Sequence, residues 1–329
     1  MTMDSNSSKK NCRLIYGILL CCLFLLSACA RVITPQSGSV TEAFRIKENK
    51  LIPEGIAYDP ADKSFYLGSI AQRKIVRIDS KGKTSDFAVS LHQILGMRVD
   101  TLSNLLWACG NSSVDSGEYV SSVYVFSLPN GSLIKKYEVS GGTKHLFNDI
   151  VVTSAGDAYV TDSNGGSIYV IRKTRDAIEE FVKGGSVPGA NGITLTSDET
   201  RILVATASRN GIVSIDLKTR EVAALKSERY LLIGYDGIYR YKNSLIGIQN
   251  VTFPEGVTKL TCDESFSTVE DVEFLASSVP EFHIPTTGVI VGNYFYFIAN
   301  SHVDQLVDDT GDIRNPAAVK EPVIMKIRL

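Results

Sequence analysis

A short motif recurs six times along the chain at a nearly constant spacing, and this repeat constrains the fold more than any other feature. In each copy a small or acidic residue precedes an apolar strand, as in PEGIAYDP, FNDIVVT and ANGITLT. The second motif position recurs after 41, 53, 43, 45 and 51 residues, at Gly55, Gly96, Asp149, Gly192, Gly237 and Gly288. Such a period is typical of propellers and other repeat architectures.

The segments between the motifs are predicted to be short strands. Stretches such as RKIVRID, SSVYVFSL and GSIYVIR are rich in β-branched residues, alternate in polarity, and are bounded by Gly, Asn, Asp or Ser. No long stretch has helical periodicity, and two helix-like pieces, 90–95 and 264–275, lack clear caps and could equally be loops. We therefore expect an all-β fold.

Six repeat units of this length match the blades of a β-propeller. Each unit is a meander of strands that cannot bury both of its faces alone, whereas blades packed around an axis bury each other. The prediction is a six-bladed β-propeller with four-stranded blades over residues 43–329. We expect a strand near 43–50 to close the ring by joining the last blade.

The N-terminal residues have the pattern of a lipoprotein signal peptide. Three basic residues precede an apolar run, 14–26, which is too short to cross about 30 Å of hydrocarbon as a helix. The run ends in LSAC at 26–29, which resembles the bacterial lipobox, where cleavage precedes an acylated cysteine. We expect 1–28 to be removed, Cys29 to carry lipid, and 29–42 to form the lipidated N-terminus and a linker. An ordinary secretory signal with a chance cysteine is the alternative.

This leader predicts a cell-envelope protein that is held on a membrane by its N-terminal lipid. The second mature residue, Ala30, is not the Asp that resembles an inner-membrane retention signal. We therefore expect the outer membrane, with the domain facing the periplasm.

Charge and cysteine content exclude two further classes. The net charge is -2 and no basic block is present, so a nucleic-acid partner has no electrostatic support. After processing, Cys109 and Cys262 are the thiols left in the domain, too few for a disulfide scaffold. They fall in nearly opposite blades, so we expect both to be free.

The first residue of each motif points to chemistry, because the inner strands of a propeller begin around a central channel. In chain order these residues are Glu54, Leu95, Asn148, Asn191, Asp236 and Thr287. Two carboxylates and two amides are present among them, and sulfur and imidazole are absent. This set suits Ca²⁺ or another hard divalent cation and does not suit zinc or copper.

The same motifs resemble those of the senescence-marker-protein (regucalcin)/gluconolactonase family of β-propellers, with the paraoxonases and squid-type diisopropylfluorophosphatase as more distant relatives. FND with a downstream TD, and ANGI, are the most specific pieces, and the resemblance covers roughly 51–329. It implies that Glu54, Asn148, Asn191 and Asp236 hold one catalytic divalent ion at the channel mouth. It also implies hydrolysis of a lactone or related ester.

The sequence departs from the paraoxonase pattern at two points, so a paraoxonase-type mechanism is not expected. Paraoxonases have a histidine as the proposed general base where this chain has Leu95. Their second, structural calcium uses acidic residues at positions that are here Gly55 and Asp149. The gluconolactonase-like branch needs neither feature, and there the ligand aspartate, here Asp236, is the proposed base.

Each proposed ligand also has a simpler interpretation. Asn191-Gly192 and Asp236-Gly237 are strong two-residue hairpin signals, and Glu54 could be a solvated loop carboxylate. The argument for a metal is that all four residues fall at the same position of the repeat, which independent turns have no reason to do.

Polar residues at the end of a blade's second strand should open onto the same face, because that end lies beside the start of the first strand. The candidates for contact with substrate or for support of the ligands are Asn111, Asp162 and Asn300, with loop capping as the alternative. His145 and His302 could lie near the mouth or be solvated loop histidines.

Two classes of function remain open from the sequence. In the first, the protein is a metal-dependent hydrolase in which the ion polarises a lactone carbonyl and Asp236 activates water. In the second, it is a non-catalytic binding or scaffold lipoprotein that keeps the ion for stability or ligand capture. The fold alone does not separate them, because propellers host both.

Overall fold

A computed structural model describes residues 40–48, 50–113, 119–141, 144–208, 210–307 and 310–329. The predicted signal peptide, the lipidation site Cys29 and most of the predicted linker lie outside the described residues. Within the described ranges, no helix has the length and hydrophobicity needed to cross a bilayer.

Six four-stranded antiparallel sheets form the blades and confirm the predicted all-β propeller. The first strand of the chain, β1 (Thr41–Arg45), belongs to the last blade. Blade one contains β2 Pro53–Asp59, β3 Ser64–Ser69, β4 Lys74–Ile78 and β5 Thr84–Ala88, and blade two contains β6 Gln93–Asp100, β7 Leu105–Ser113, β8 Tyr119–Ser127 and β9 Leu133–Ser140. Blade three contains β10 Phe147–Val152, β11 Ala158–Asp162, β12 Ser167–Arg172 and β13 Ala177–Val182.

The remaining blades repeat this order. Blade four contains β14 Ala190–Leu195, β15 Arg201–Thr206, β16 Ile212–Asp216 and β17 Val222–Ala224, and blade five contains β18 Tyr235–Tyr241, β19 Ser244–Gln249, β20 Gly256–Cys262 and β21 Val269–Ser277. Blade six contains β22 Gly288–Val291, β23 Tyr294–Ile298, β26 Val323–Arg328 and then β1. Between β23 and β26 lies an insertion, 299–322, with a single-turn 3-10 helix at Val303–Gln305 and a small hairpin of β24 Leu306–Val307 and β25 Asp312–Ile313.

The N-terminal strand closes the ring, as the sequence predicted. In this pairing, β1 is the outermost strand of blade six and runs antiparallel to β26, with Thr41 opposite Lys326. The strand spans Thr41–Arg45, so it begins before residue 43 and ends well before residue 50. Joining the two ends of the described domain in one sheet covers the edge of β26, which would otherwise be open to another chain.

The apolar core is divided into layers between neighbouring blades. Every residue of β11 and of β19 is buried, because these middle strands are covered on both faces. One such layer joins Ile168 of blade three to Ile202 and Val204 of blade four. The alternation expected for GSIYVIR is wrong: the strand is buried at every position but the last, because a middle strand is covered on both faces.

A β-bulge at the start of the inner strand places the motif identically in five blades. The register shifts at Pro53/Ile56, Ile94/Met97, Phe147/Ile150, Ala190/Ile193 and Tyr235/Ile238. A bulge takes residues out of the ladder and redirects their side chains. The two motif residues are the ones released in each case.

A glycine at the second motif position allows neighbouring inner strands to approach one another closely around the channel. A Cβ on Gly192 would lie 2.4 Å from the carbonyl oxygen of Asp236 in the next blade, so only glycine fits there. The ring closes between blades six and one, where the hydroxyl groups of Thr286 and Thr287 both donate to the carbonyl oxygen of Glu54.

Two further expectations concern local structure. The helix-like pieces at 90–95 and 264–275 are not helical: each begins as a loop and continues into a strand, which is β6 from Gln93 and β21 from Val269. Cys109 in β7 and Cys262 in β20 are buried free thiols, which confirms the prediction that they do not pair.

Candidate metal centre

The four predicted ligands occupy the same bulge position in four different blades. Glu54 lies in β2, Asn148 in β10, Asn191 in β14 and Asp236 in β18. Three of these side chains are buried, and Asn191 is half-buried. Asp236 contributes to raising the pKa of Glu54, and a side-chain hydrogen bond from Asn191 contributes to lowering the pKa of Asp236, so side chains from blades one, four and five interact.

Each of these side chains has one buried oxygen with no hydrogen-bond partner in the structure. The atoms are Glu54 Oε2, Asn148 Oδ1, Asn191 Oδ1 and Asp236 Oδ1. Among the described side chains, the two other buried polar atoms in this condition belong to Tyr66 and Trp107, away from the motif position. An unpaired buried polar group costs about 1–3 kcal/mol, and native proteins keep few of them. Four such oxygens fit a divalent cation of the Ca²⁺ type, which takes oxygen ligands.

Together, Glu54, Asn148, Asn191 and Asp236 form what we call the oxygen ring. The electrostatics of this oxygen ring also fit a cation. Burial raises the pKa of Glu54 well above its ordinary value, and the neighbouring Asp236 and Asp149 raise it further. Burial raises the pKa of Asp236 to about 7, although hydrogen bonds from Asn250 and Asn191 act in the opposite direction. A nearby positive charge would favour both carboxylates and reverse these shifts.

Asn250 supports Asp236 and was missed by the sequence analysis. Its amide nitrogen donates to Asp236 Oδ2 at 2.5 Å and to the carbonyl oxygen of Pro285 at 2.9 Å. The contact engages one carboxylate oxygen and leaves Oδ1 for a ligand. Asn250 directly follows β19, the second strand of blade five, so the strand-end argument that selected Asn111 and Asn300 would also have found it.

Asp149 is a buried carboxylate that links two neighbouring blades by hydrogen bonds. Its oxygens accept hydrogen bonds from the backbone N–H groups of Ile150, at 2.8 Å, and of Ile193 in the next blade, at 3.2 Å. Burial raises its pKa, while Arg98 and these backbone donors act to lower it. Asp149 thus joins blades three and four with its side chain, at the motif position where most other blades have glycine.

The two remaining ring positions are not open oxygen ligands. The Thr287 hydroxyl donates to the Glu54 carbonyl oxygen, and Leu95 is buried in an apolar cluster with Ile52. The insertion 299–322 contributes Val319 to the same cluster, with other apolar residues of its hairpin packed against it. The ring therefore has oxygen ligands over most of its circumference and an apolar wall at Leu95.

The three predicted substrate or support residues make hydrogen bonds of the capping type. Asn111 exchanges two hydrogen bonds of 2.8 Å with the backbone of Phe147 in the next blade. Asp162 accepts from the N–H groups of Leu146 and Gly165, and Asn300 accepts from that of Val323. These contacts match the alternative of loop capping, and direct contact with substrate stays a prediction for all three.

The two histidines lie in different settings. His145 Nδ1 is 2.6 Å from Asp162 Oδ2, and the imidazole is partly exposed. His302 is buried, with a left-handed backbone at φ 57°, and its ring lies against that of His283 with centroids 4.4 Å apart. Burial lowers the pKa of His302, and His283 lowers it further. The structure therefore brings His302 together with His283, which the sequence analysis did not select.

Solved structures share the fold at low sequence identity. A gluconolactonase from Xanthomonas campestris is 12% identical with a TM-score of 0.61, and the match covers 88% of this chain and 94% of that one. A PQQ-bound aldose sugar dehydrogenase from Streptomyces coelicolor is 13% identical with a TM-score of 0.59, over 89% and 99% of the two chains. A virginiamycin B lyase from Staphylococcus aureus is 13% identical with a TM-score of 0.57, over 88% and 99%. These likenesses establish the propeller and not a shared activity.

A search of curated proteins found no match. A family model described as the SMP-30/gluconolactonase/LRE-like region matches residues 52–236, more than half of the chain. The matched segment contains Glu54, Asn148 and Asn191 and ends on Asp236. The chain therefore belongs to the SMP-30/gluconolactonase/LRE-like family.

Proposed function

We propose that this protein is a divalent-cation-dependent hydrolase of lactones or related esters, with Ca²⁺ as the ion. The observation that carries the proposal is the set of four buried oxygens without partners, one from each of four blades. Membership of the gluconolactonase family and the likeness to a solved gluconolactonase support the lactone as substrate class.

Glu54, Asn148, Asn191 and Asp236 would hold the cation. When bound, the ion would polarise the substrate carbonyl and stabilise the oxyanion that develops on it. Two carboxylates against one divalent ion leave the ring close to neutral, while Ca²⁺ accepts about 6–8 oxygen ligands. Positions would therefore remain for water and for the carbonyl oxygen of a substrate.

Asp236 is the residue proposed to move the proton. Asn250 holds Oδ2 by its hydrogen bond and so orients the carboxylate. Oδ1 has two lone pairs, so it would contact the cation with one and take a proton from the attacking water with the other, and the proton would return to the alkoxide that leaves when the ester bond breaks. The apolar surface at Leu95 and the insertion 299–322 would exclude bulk water on one side of the reacting group.

The burial of the same four oxygens favours one competing function. An ion enclosed by buried ligands stabilises a propeller without contacting a substrate, as in a non-catalytic binding or scaffold protein. The two functions differ in whether water and a carbonyl reach the ion.

A hydrolysis screen separates these two functions. Purified protein is assayed against lactones, aryl esters and phosphotriesters, with and without a chelator. We expect chelator-sensitive hydrolysis of a lactone or ester, and a large fall in turnover for Asp236→Asn at saturating Ca²⁺. Asp263→Asn, in a turn of blade five, is the matched control and should keep wild-type turnover. Near wild-type turnover in Asp236→Asn would remove Asp236 as the base, and no hydrolysis of any substrate would favour the binding protein.

We further propose that the protein is exported and is anchored to a membrane by a lipid on Cys29. The basic residues, the short apolar run and LSAC at 26–29 support it. Export of this kind would place the propeller in the cell envelope, on the periplasmic face of an outer membrane.

A further inference from the structure

A second cluster of metal-ligating side chains lies in blade six, apart from the oxygen ring. It consists of His283, His302 and Asp304, and one ligand atom of each lies within 4.8 Å of the others. Among the described residues, this is the one group of three His, Cys, Asp or Glu side chains that converges in this way. His283 precedes β22, and the other two residues follow β23 in the insertion 299–322.

Backbone hydrogen bonds hold the cluster together. The N–H of His283 donates to the carbonyl oxygen of Ala299 at 3.0 Å, and the N–H of Ser301 donates to that of His283 at 3.1 Å. This short parallel bridge places His283 beside the residues that lead into His302. The bridge joins the start of the inner-strand region to the end of the second strand, so the cluster opens on the same face as the ring.

The carboxylate of the cluster is oriented as metal ligands commonly are. Asp304 Oδ1 lies 2.9 Å from His283 Nε2, and its Oδ2 accepts a hydrogen bond of 2.7 Å from the amide nitrogen of Gln305. The amide nitrogen of Asn300 lies 3.4 Å from His302 Nε2. Asn300 is itself held by the backbone of Glu321 and Val323. The contacts from Gln305 and Asn300 are outer contacts of the kind that fix ligand orientation and strengthen metal binding. The contact between Asp304 and His283 instead joins two members of the cluster.

The spacing of the three ligand atoms suits a small metal ion. Bonds of about 2.0–2.2 Å in a tetrahedral zinc site put neighbouring ligand atoms about 3.3 Å apart. The atoms of this cluster lie within 4.8 Å, so side-chain adjustments of about 1.5 Å would complete the geometry. Two of the three side chains are partly exposed and have room for this movement.

The cluster borders a cavity of about 470 Å³. His283 and His302 line it, together with Lys320, the acidic Glu281, and Arg45, which is paired with Glu42 at 2.7 Å. An ion bound by three protein ligands keeps an open position for water or another ligand. Here that position would face a cavity whose lining carries charges of both signs.

We propose that His283, His302 and Asp304 form a second cation site that takes a borderline divalent ion such as Zn²⁺, with its open position toward this cavity. Two imidazoles and one carboxylate prefer zinc, nickel or cobalt, whereas the oxygen ring prefers calcium. The two sites thus differ in ligand chemistry. This site stands on its own side chains and does not depend on the proposed hydrolase activity.

The test is a Zn²⁺ titration of the whole purified protein in excess Ca²⁺, followed by competition with a zinc-sensitive dye. Wild type should bind one equivalent that His283→Ala and Asp304→Asn each weaken by at least about 100-fold, since outer-shell changes already cost about 10–100-fold. Both residues are partly exposed, so these variants should fold, and thermal unfolding without zinc checks this. Co²⁺ should give the visible absorption of a low-coordinate site in wild type and lose it in both variants.

His92→Asn is the matched control, because His92 lies in blade two, where it contacts Ser122 and Tyr124 rather than the cluster. It should bind Zn²⁺ as wild type does. Equal zinc affinity in wild type and in both cluster variants would overturn the proposal, as would the absence of a bound equivalent in wild type. Unchanged zinc binding in variants of the oxygen ring that lose hydrolysis would support it, because this site does not depend on the ring.

Discussion

In the metal-free protein, the buried carboxylate of Asp236 should lower the free energy of unfolding, and Asp236→Asn should raise it again. Burial raises the pKa of Asp236 to about 7, against an ordinary value of 3.8. The folded state therefore keeps a proton that the unfolded chain has released, and stability falls as the pH rises from 3.8 through 7. The gap between the two pKa values corresponds to about 4 kcal/mol.

The assay compares urea unfolding of wild type and Asp236→Asn after removal of metal with a chelator. The asparagine carries no charge at any pH, and its oxygen can still accept the hydrogen bond from Asn250. At pH 8 the variant should be more stable by up to about 4 kcal/mol, and at pH 5 by about 2 kcal/mol. The larger difference corresponds to a rise in melting temperature of about 5–10 °C.

Excess Ca²⁺ should reverse this order at pH 8, because a ligand that binds only the folded state adds stability in proportion to its affinity. Wild type should gain more stability from Ca²⁺ than the variant, which has lost one charged ligand.

Asp263→Asn is the control, and its effect on stability should have the opposite sign. Partial burial acts to raise the pKa of Asp263, yet hydrogen bonds from Ser265 and Thr268 lower it to about 2. Asp263 therefore stabilises the fold above pH 3.8, and its loss should destabilise at pH 5 and pH 8 with or without Ca²⁺.

The reasoning would be refuted if metal-free Asp236→Asn were no more stable than wild type at pH 8. It would also be refuted if its advantage did not shrink between pH 8 and pH 5. Either result would mean that the ring does not carry the buried charge inferred from its geometry.

Three other predictions follow from the sequence and the ring. Asn148→Ala should lower Ca²⁺ affinity at least about 10-fold while excess Ca²⁺ partly restores binding, as calorimetry can show, because a neutral ligand is lost and both charges remain. Gly192→Ala should destabilise by about 1–3 kcal/mol in urea unfolding and weaken Ca²⁺ binding, since the new Cβ would lie 2.4 Å from the Asp236 carbonyl oxygen; wild-type values in both assays would contradict the close packing of blades four and five. Cys29→Ser should leave the precursor uncleaved and without lipid by mass spectrometry, and wild-type protein with a free, non-acylated N-terminus would disprove the lipoprotein assignment.

The sequence by itself determined the fold class, the number of blades and the strand that closes the ring. It could do so because each blade is built from strands adjacent in sequence, so turn residues and apolar runs carry most of the information. The repeat also places Glu54, Asn148, Asn191 and Asp236 in equivalent positions, since a bulge of the same kind recurs at the start of their strands. Their role as ligands stays a prediction, to which the structure adds four buried oxygens without partners.

Only the tertiary structure decided how the polar residues around that ring are used. Asn250 reaches Asp236 while Asn111 is engaged by the backbone of Phe147, although both residues lie at ends of second strands. The approach of His283 to His302 likewise depends on a bridge between two loops. The physical reason is that loop paths and side-chain partners are set by contacts between residues far apart in sequence, which no local pattern of turns and apolar residues encodes.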